Sequence, residues 1–301
     1  MLRGVDLAIR EAERVALVGE SGCGKSMTAL SLLNLLPKPP MEMTVGRIWY
    51  KGRSLENLPE SGWKAIRGKE IGMIFQEPFN SLNPVIPVGL QIGEILQAHS
   101  ELSKQDIQKK TASLLTDVGL SDPARIMEQY PHQLSGGMCQ RVMIGMAIAC
   151  GPSLLIADEP TTALDVTVQM QILDLMFQMT AQYRLAVLFI THNLRIVKRH
   201  ADLVMILYLG LIVEEGSPEQ IFENPLHPYT AGLIASLPDY SHKGKTMFTI
   251  GGVVPSPFEA FSGCAFAGRC PHADKKCLQE PPEFTEISKG HKVRCFYPLK
   301  K

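Results

Sequence analysis

Residues 19 to 26 read Gly-Glu-Ser-Gly-Cys-Gly-Lys-Ser, a spacing suited to holding a chain of phosphates. Glycines at these positions let successive backbone N–H groups turn toward one anion. A helix opening at Ser26 would add the positive end of its dipole. Lys25 would neutralise the β- and γ-phosphates, and the Ser26 hydroxyl would ligate Mg²⁺. Gly19, Glu20, Ser21, Gly22, Cys23, Gly24, Lys25 and Ser26 are therefore the candidate cradle for a nucleoside triphosphate. The bland alternative is a glycine-rich turn before a surface helix, and the strand expected ahead of the motif argues against it. Leu154-Leu-Ile-Ala-Asp158-Glu159 has the character of the complementary half. Its apolar residues would bury a strand, with the acids emerging at the carboxyl end, where ligands bind in open α/β sheets. Asp158 would hold Mg²⁺ through water, and Glu159 would orient or deprotonate the attacking water. A neighbouring triphosphate would raise the proton affinity of Glu159, as suits a general base. Gln76 and His192 each follow a further apolar run. Singly, each is best read as structural. Together, the four strand ends converge on phosphate chemistry, with the Gln76 amide reaching Mg²⁺ and water and His192 donating to the γ-phosphate.

The elements that must position these groups are short apolar runs: Val15 to Gly19, Ile71 to Phe75, Leu154 to Ala157 and Leu185 to Ile190. Each reads as a buried strand. Helical patterns cover Ser26 to Leu36, stopped by Pro37, and Val166 to Gln182. Gly89 to His99, Lys104 to Val118 and Met138 to Ala149 form a helical block with no strand between them. Strands alternating with helices predict a mostly parallel sheet covered on both faces, with the helical block inserted. After Gly216 the pattern weakens, and four cysteines crowd into the last forty residues.

Composition narrows the alternatives. Lys plus Arg and Asp plus Glu both number 30, so the formal charge is zero, which argues against nucleic acid as the main partner. A membrane-spanning helix needs ~20 mostly apolar residues. The best run, Leu203 to Val213, has eleven and contains a Tyr and a Gly. Charges at Arg3, Asp6, Arg10, Glu11, Glu13 and Arg14 leave no apolar leader near the amino terminus. These features predict a soluble cytoplasmic chain.

Leu134-Ser135-Gly136-Gly137-Met138-Cys-Gln140-Arg141 opens a helix and is a second anion-binding amino terminus. It resembles the signature loop of ATP-binding cassette proteins, with LSGGM in place of LSGGQ. The earlier motifs then resemble Walker A (Gly19 to Ser26), the Q-loop (Gln76), Walker B (Leu154 to Asp158, then Glu159) and the H-loop (His192). Thr162-Ala-Leu-Asp165 resembles the D-loop. The order matches the family over nearly the whole chain.

The resemblance implies an α/β fold: a P-loop NTPase (RecA-like) core at 1–79 and 150–215, an inserted α-helical subdomain at 80–149, and a small cysteine-rich C-terminal extension at 216–301. It implies ATP and Mg²⁺ as cofactors and a head-to-tail dimer with a second cassette ATPase subunit. Ser135 and Gly137 would reach the γ-phosphate held by the partner, and Asp165 would lie across the dimer. Closing on ATP and reopening after hydrolysis would drive two transmembrane permease subunits through the groove near Gln76.

Phe222-Glu-Asn-Pro-Leu-His-Pro-Tyr229-Thr230 and the cysteine-bearing tail resemble the dipeptide, oligopeptide and nickel importer subgroup. An external solute-binding protein and a position on the cytoplasmic face of the inner membrane are implied with it. Peptide is the expected substrate, and nickel or another small solute the alternative. A soluble cassette protein of translation or DNA repair would carry a second P-loop or sustained heptads, and neither occurs here. A metal-sensing regulator is the third reading.

Cys264, Cys270, Cys277 and Cys295 are separated by five, six and seventeen residues. A chain meeting cytoplasmic ATP disfavours disulfides, and the paired spacing common in zinc sites is missing. Four thiolates can hold an iron–sulfur cluster. The subgroup's matching tail implies a 4Fe–4S site on these four residues, with zinc second and free thiols third. His272 or His291 could replace one Cys in the zinc case. Cys23, Cys139 and Cys150 are expected to be buried and unliganded. Cassettes of this resemblance usually begin earlier, with a strand and an aromatic residue that stacks on adenine. No aromatic precedes Trp49, so the sequence is expected to begin inside a longer product, the alternative being that adenine stacking is lost.

Overall fold

A computed structural model describes residues 2–37, 39, 41, 43, 45–77, 81–161, 165–237, 249–256 and 258–300. Its strands are β1 (Arg14–Val18), β2 (Trp49–Tyr50), β3 (Arg53–Ser54), β4 (Ile71–Ile74), β5 (Leu154–Asp158), β6 (Ala186–Thr191), β7 (Leu203–Tyr208), β8 (Leu211–Gly216), β9 (Thr285–Ser288) and β10 (His291–Val293). Its helices are α1 (Lys25–Leu32), α2 (Glu60–Ile66), α3 (Val88–His99), α4 (Lys104–Asp117), α5 (Pro123–Glu128), α6 (Gly136–Ile148), α7 (Val166–Gln182), α8 (Leu194–His200), α9 (Pro218–Glu223), α10 (Pro228–Ala235) and α11 (Lys275–Gln279). The chain divides into two compact units. One comprises Met1–Ala8, Arg14–Thr28 and Ile190–Lys301, the other Ile9–Glu13 and Ala29–Phe189.

In the first unit β1 is buried from Val15 to Val18, as its unbroken apolar run requires. It pairs in parallel with β7, Val15 opposite Leu203 and Val18 opposite Ile206. Beside their start, the Arg14 guanidinium donates to both Asp202 carboxylate oxygens, 3.0 and 2.7 Å away, across 188 residues of sequence. The remaining pairings of this unit, β7 with β8, β8 with β10 and β10 with β9, are antiparallel. Antiparallel strands β8, β10 and β9 thus extend the parallel pairing expected from the sequence. The apolar run Leu203 to Val213 is a tight hairpin, because Leu209 and Gly210 both take positive φ, 45° and 77°. Two such residues in a row match the right-handed twist of the flanking strands.

In the second unit β4 and β5 run parallel in the register Ile71–Leu154 to Ile74–Ala157, and β6 lies on the far side of β5. The helical block is a subdomain of α3 to α6. Ser103 caps α4, its hydroxyl accepting from Asp106 N–H, and Asp122 caps α5 ahead of Pro123. Helix α6 is buried nearly all round, from Cys139 to Ile148. Helix α1 stops at Leu32, earlier than the proline-based expectation of Leu36. Asn34 adopts φ 51°, and Leu35 N–H reaches back to the Leu30 carbonyl at 2.9 Å, a left-handed helix stop. Among the described residues no helix is long and apolar enough to cross a membrane.

Candidate functional site

The phosphate loop lies between β1 and α1, and β7 with its turn dictates its glycines. A Cβ on Gly19 would stand 2.3 Å from the Leu207 carbonyl oxygen and 2.7 Å from Cys23 Sγ. Gly24, at φ 110°, would press a Cβ to 2.9 Å from Leu2. The Gly210 amide of the hairpin turn donates to the Cys23 carbonyl at 2.9 Å, pinning the loop from below. Lys25 is 5% exposed, and its Nζ donates to the carbonyls of Gly19 and Glu20 at 2.9 and 3.1 Å. The ammonium is thus held inside the ring of loop backbone, where a triphosphate would compete for it. Ser26 sits half-buried in the first turn of α1, and burial pushes the Cys23 thiol pKa up. In the same unit His192 is exposed, one residue beyond β6. Thr191 Oγ1 accepts from Asn193 N–H at 3.0 Å, and Asn193 caps α8, which fixes the turn that presents the imidazole.

The second unit brings Gln76 and Glu159 together. Because β4 and β5 are parallel and in register, their carboxyl ends deliver these residues side by side. Gln76 Nε2 donates to Glu159 Oε2 at 3.5 Å. Asp158, the last residue of β5, is 5% exposed. Glu159 takes φ 44°, a left-handed conformation costly for a residue with a long side chain.

Ser135 is the N-cap of α6, its hydroxyl accepting from Met138 N–H at 3.3 Å, with Gly136 and Gly137 forming the first turn. A Cβ on Gly137 would come within 3.0 Å of Val168, so the amino ends of α6 and α7 are neighbours. Asp165 caps α7, accepting from Val168 N–H at 3.0 Å. The signature residues and Asp165 thus share one edge of the second unit. Thr162 to Leu164 of the D-loop lie outside the described residues. Within the second unit, Asp158 and Gln76 offer a carboxylate and an amide oxygen, and in the first unit Ser26 offers a hydroxyl, each a hard donor of the kind Mg²⁺ takes.

The 4Fe–4S assignment does not stand. Cys264, Cys270, Cys277 and Cys295 all line one small cavity together with His227, Phe266 and Phe296. Among the described residues, however, no group of three or more His, Cys, Asp or Glu side chains is placed to hold a metal ion. The physical reason is the lining. Burial among apolar groups raises the pKa of Cys264 and Cys270, and that of Cys295 to about 11, which opposes the thiolate form that ligation needs. All seven cysteines are free. His291, a possible zinc substitute in the sequence, is instead bound to Glu214, Nε2 to Oε1 at 2.8 Å.

Sequence reasoning missed the groups of the C-terminal region that brace the phosphate loop. Tyr229, fully buried, accepts from Glu20 N–H through its hydroxyl at 2.9 Å. Arg269 forks onto the Glu20 carboxylate at 2.7 and 3.0 Å. Buried Glu214 accepts from the backbone N–H groups of Leu226 and His227 at 2.8 and 2.9 Å. His227 caps α10 through Nδ1, and burial pulls its pKa down to about 4, with Glu214 opposing. The run Asn224-Pro-Leu-His-Pro-Tyr229 was the available signal, and it speaks of a special segment without saying what that segment touches.

Residues 2–162 match the ABC transporter family, and residues 213–277 match the C-terminal region of oligopeptide/dipeptide transporters. The chain belongs to the ABC transporter family, as an ATP-hydrolysing, ATP-binding subunit. Within that family it is similar to a probable peptide ABC transporter ATP-binding protein of Sinorhizobium fredii, 46% identical over 98% of this chain and 88% of the relative. It is also similar to the oligopeptide transport ATP-binding protein AppD of Bacillus subtilis, 45% identical over 97% of this chain and 89% of that protein. Among solved structures, the ATP-binding cassette MJ0796, dimeric in a post-hydrolysis state with ADP and Pi, aligns with a TM-score of 0.64. The two share 27% identity, with 72% of this chain and 90% of that one covered.

Proposed function

We propose that this chain is one ATPase subunit of an importer for dipeptides or oligopeptides. The observation that carries the reading is the oligopeptide/dipeptide-transporter C-terminal region at residues 213–277, joined to a cassette at residues 2–162. The core is assigned to residues 1–79 and 150–215, the helical subdomain to 80–149 and the C-terminal extension to 216–301. The subunit pairs head to tail with a second ATPase subunit, beneath two permease subunits at the cytoplasmic face of the membrane, and an external solute-binding protein delivers the peptide.

In this reading residues Gly19 to Ser26 cradle the triphosphate, with Lys25 exchanging its carbonyl partners for phosphate oxygens. Ser26, Asp158 and Gln76 would hold Mg²⁺, which would supply positive charge to offset that of the phosphates. Glu159 accepts the proton of the attacking water, the adjacent Gln76 amide keeps that carboxylate aimed, and His192 donates to the γ-phosphate. Ser135, Gly136 and Gly137 offer backbone N–H groups to the ATP held by the partner subunit, and Asp165 stands beside them at the dimer edge.

The test is uptake of a labelled short peptide by cells whose only copy of this chain carries Lys25→Ala. Loss of uptake with the binding protein still present supports the peptide importer. Uptake at the wild-type rate sinks it, and nickel uptake in the same cells then tests the alternative solute.

A further inference from the structure

We propose that Arg269 is a positioning residue for ATP binding, acting through Glu20. The inference rests on the phosphate loop being the ATP cradle. It begins with a difficulty in the loop itself: Glu20 places a carboxylate beside a site for a polyanion, where a free negative charge would oppose the ligand. Arg269 removes that charge from play. Its guanidinium donates through one terminal nitrogen to Glu20 Oε2 at 2.7 Å and through the other to Oε1 at 3.0 Å. Its Nε–H donates to the Gly251 carbonyl at 3.0 Å, and the Tyr208 hydroxyl lies 3.4 Å from the first terminal nitrogen. The Arg269 side chain is only 5% exposed. A planar fork held at its stem and against an aromatic group fixes both oxygens of a carboxylate, which a lysine cannot do.

Every polar handle of Glu20 is engaged. Its N–H meets the Tyr229 hydroxyl, its carboxylate meets Arg269, and its carbonyl accepts from Lys25 Nζ and from Cys23 N–H, the latter at 3.3 Å. The first two partners lie 209 and 249 residues away in sequence. Behind them Tyr208, Tyr229 and Phe266 pack as one buried aromatic group with centroids 4.6 to 5.3 Å apart, so the brace has a rigid base. The C-terminal region thereby sets both the shape and the net charge of the entrance to the phosphate loop.

The experiment is equilibrium binding of ATP with Mg²⁺ to the full chain, with thermal unfolding to confirm that each variant is folded. Arg269→Gln strips the countercharge and should weaken binding roughly tenfold, the scale of one poorly screened charge acting over several ångströms. The loss should shrink as salt is raised. The double variant E20Q/R269Q removes both charges and should return affinity to within about threefold of wild type, which a purely structural role for Arg269 would not do. Arg269→Lys, keeping the charge without the fork, should fall between. Wild-type affinity in R269Q, or a double variant as weak as R269Q, overturns the proposal. If R269Q does not fold, the double variant and R269K decide on the same criteria. Lys25→Ala serves as the control: wild-type ATP binding there removes the cradle assignment itself, whereas its loss beside an unaffected R269Q removes only the role of Arg269.

Discussion

The phosphate loop and the carboxylate end of β5 are built on opposite plans. Every polar group of Glu20 is engaged and Lys25 is buried within its own loop, so in the proposed reading the cradle is formed before phosphate arrives. At β5, Gln76 is exposed and reaches Glu159 only at 3.5 Å, while Glu159 bears a strained backbone. The signature edge is similarly open, with Ser135 and Asp165 exposed and engaged as helix caps. In the proposed reading the binding loop is preorganised by its own contacts, whereas the groups assigned to water or to a partner's nucleotide lie at strand and helix ends. Rigid cradles and open chemical ends are what a subunit needs if turnover is to wait for assembly.

The contrast can be broken from either side. Glu159→Gln should lower ATP turnover by about 100-fold or more while leaving ATP binding intact. Steady-state ATPase rates of the assembled complex check this, and an unchanged rate would remove Glu159 as the base.

The brace behind the cradle can be attacked with acid. His227 is neutral in the folded protein near neutral pH because burial lowers its pKa to about 4, from the ordinary 6.5. An unfolded chain binds this proton first, so the stabilisation is complete above pH 6.5 and is lost as pH falls toward 4. The loss amounts to roughly 3 kcal/mol at most for such a shift. Glu214 and the thiols lining the same cavity are the ionisable neighbours to hold in view. Denaturant midpoints taken between pH 7 and 4 should fall in wild type and fall less in His227→Asn.

Gly19→Ala drives a methyl into the Leu207 carbonyl and should cost about 1–3 kcal/mol in unfolding free energy, together with ATP affinity. The smallest effect belongs to Asp202→Asn. Its ion pair with Arg14 is half-exposed on both sides, 38% and 41%, and should contribute under about 1 kcal/mol, with no change in ATP binding.

The sequence made legible what is local. The strand ahead of Gly19, the acids ending β5 and the N-capped turn at Ser135 were readable because an apolar run and its punctuation sit within a dozen residues of each other. Parallel pairing of β4 with β5 then follows and brings Gln76 to Glu159. What could not be read is long-range or electrostatic. The apolar run from Leu203 looked continuous, because the turn at Leu209–Gly210 has only one glycine to betray it. Tyr229 and Arg269 carry no periodic signal, and their partner lies more than 200 residues away. Cysteine spacing, finally, says nothing about protonation. The four tail cysteines line one cavity without being placed as a ligand set among the described residues, and its apolar lining opposes their ionisation.

The pairing of β1 with β7 also has a consequence for synthesis. The strand that leads into the phosphate loop must wait for a partner whose neighbouring ion-pair residue, Asp202, is translated 188 residues after Arg14. At ~5–20 residues per second that interval is ~10–40 s, during which an apolar strand end and a loop of unsatisfied amides emerge on the ribosome unpaired. Slowing translation should lengthen the time a nascent chain is captured by chaperones, and the cradle should become competent for nucleotide only after the hairpin at Leu209–Gly210 has been made.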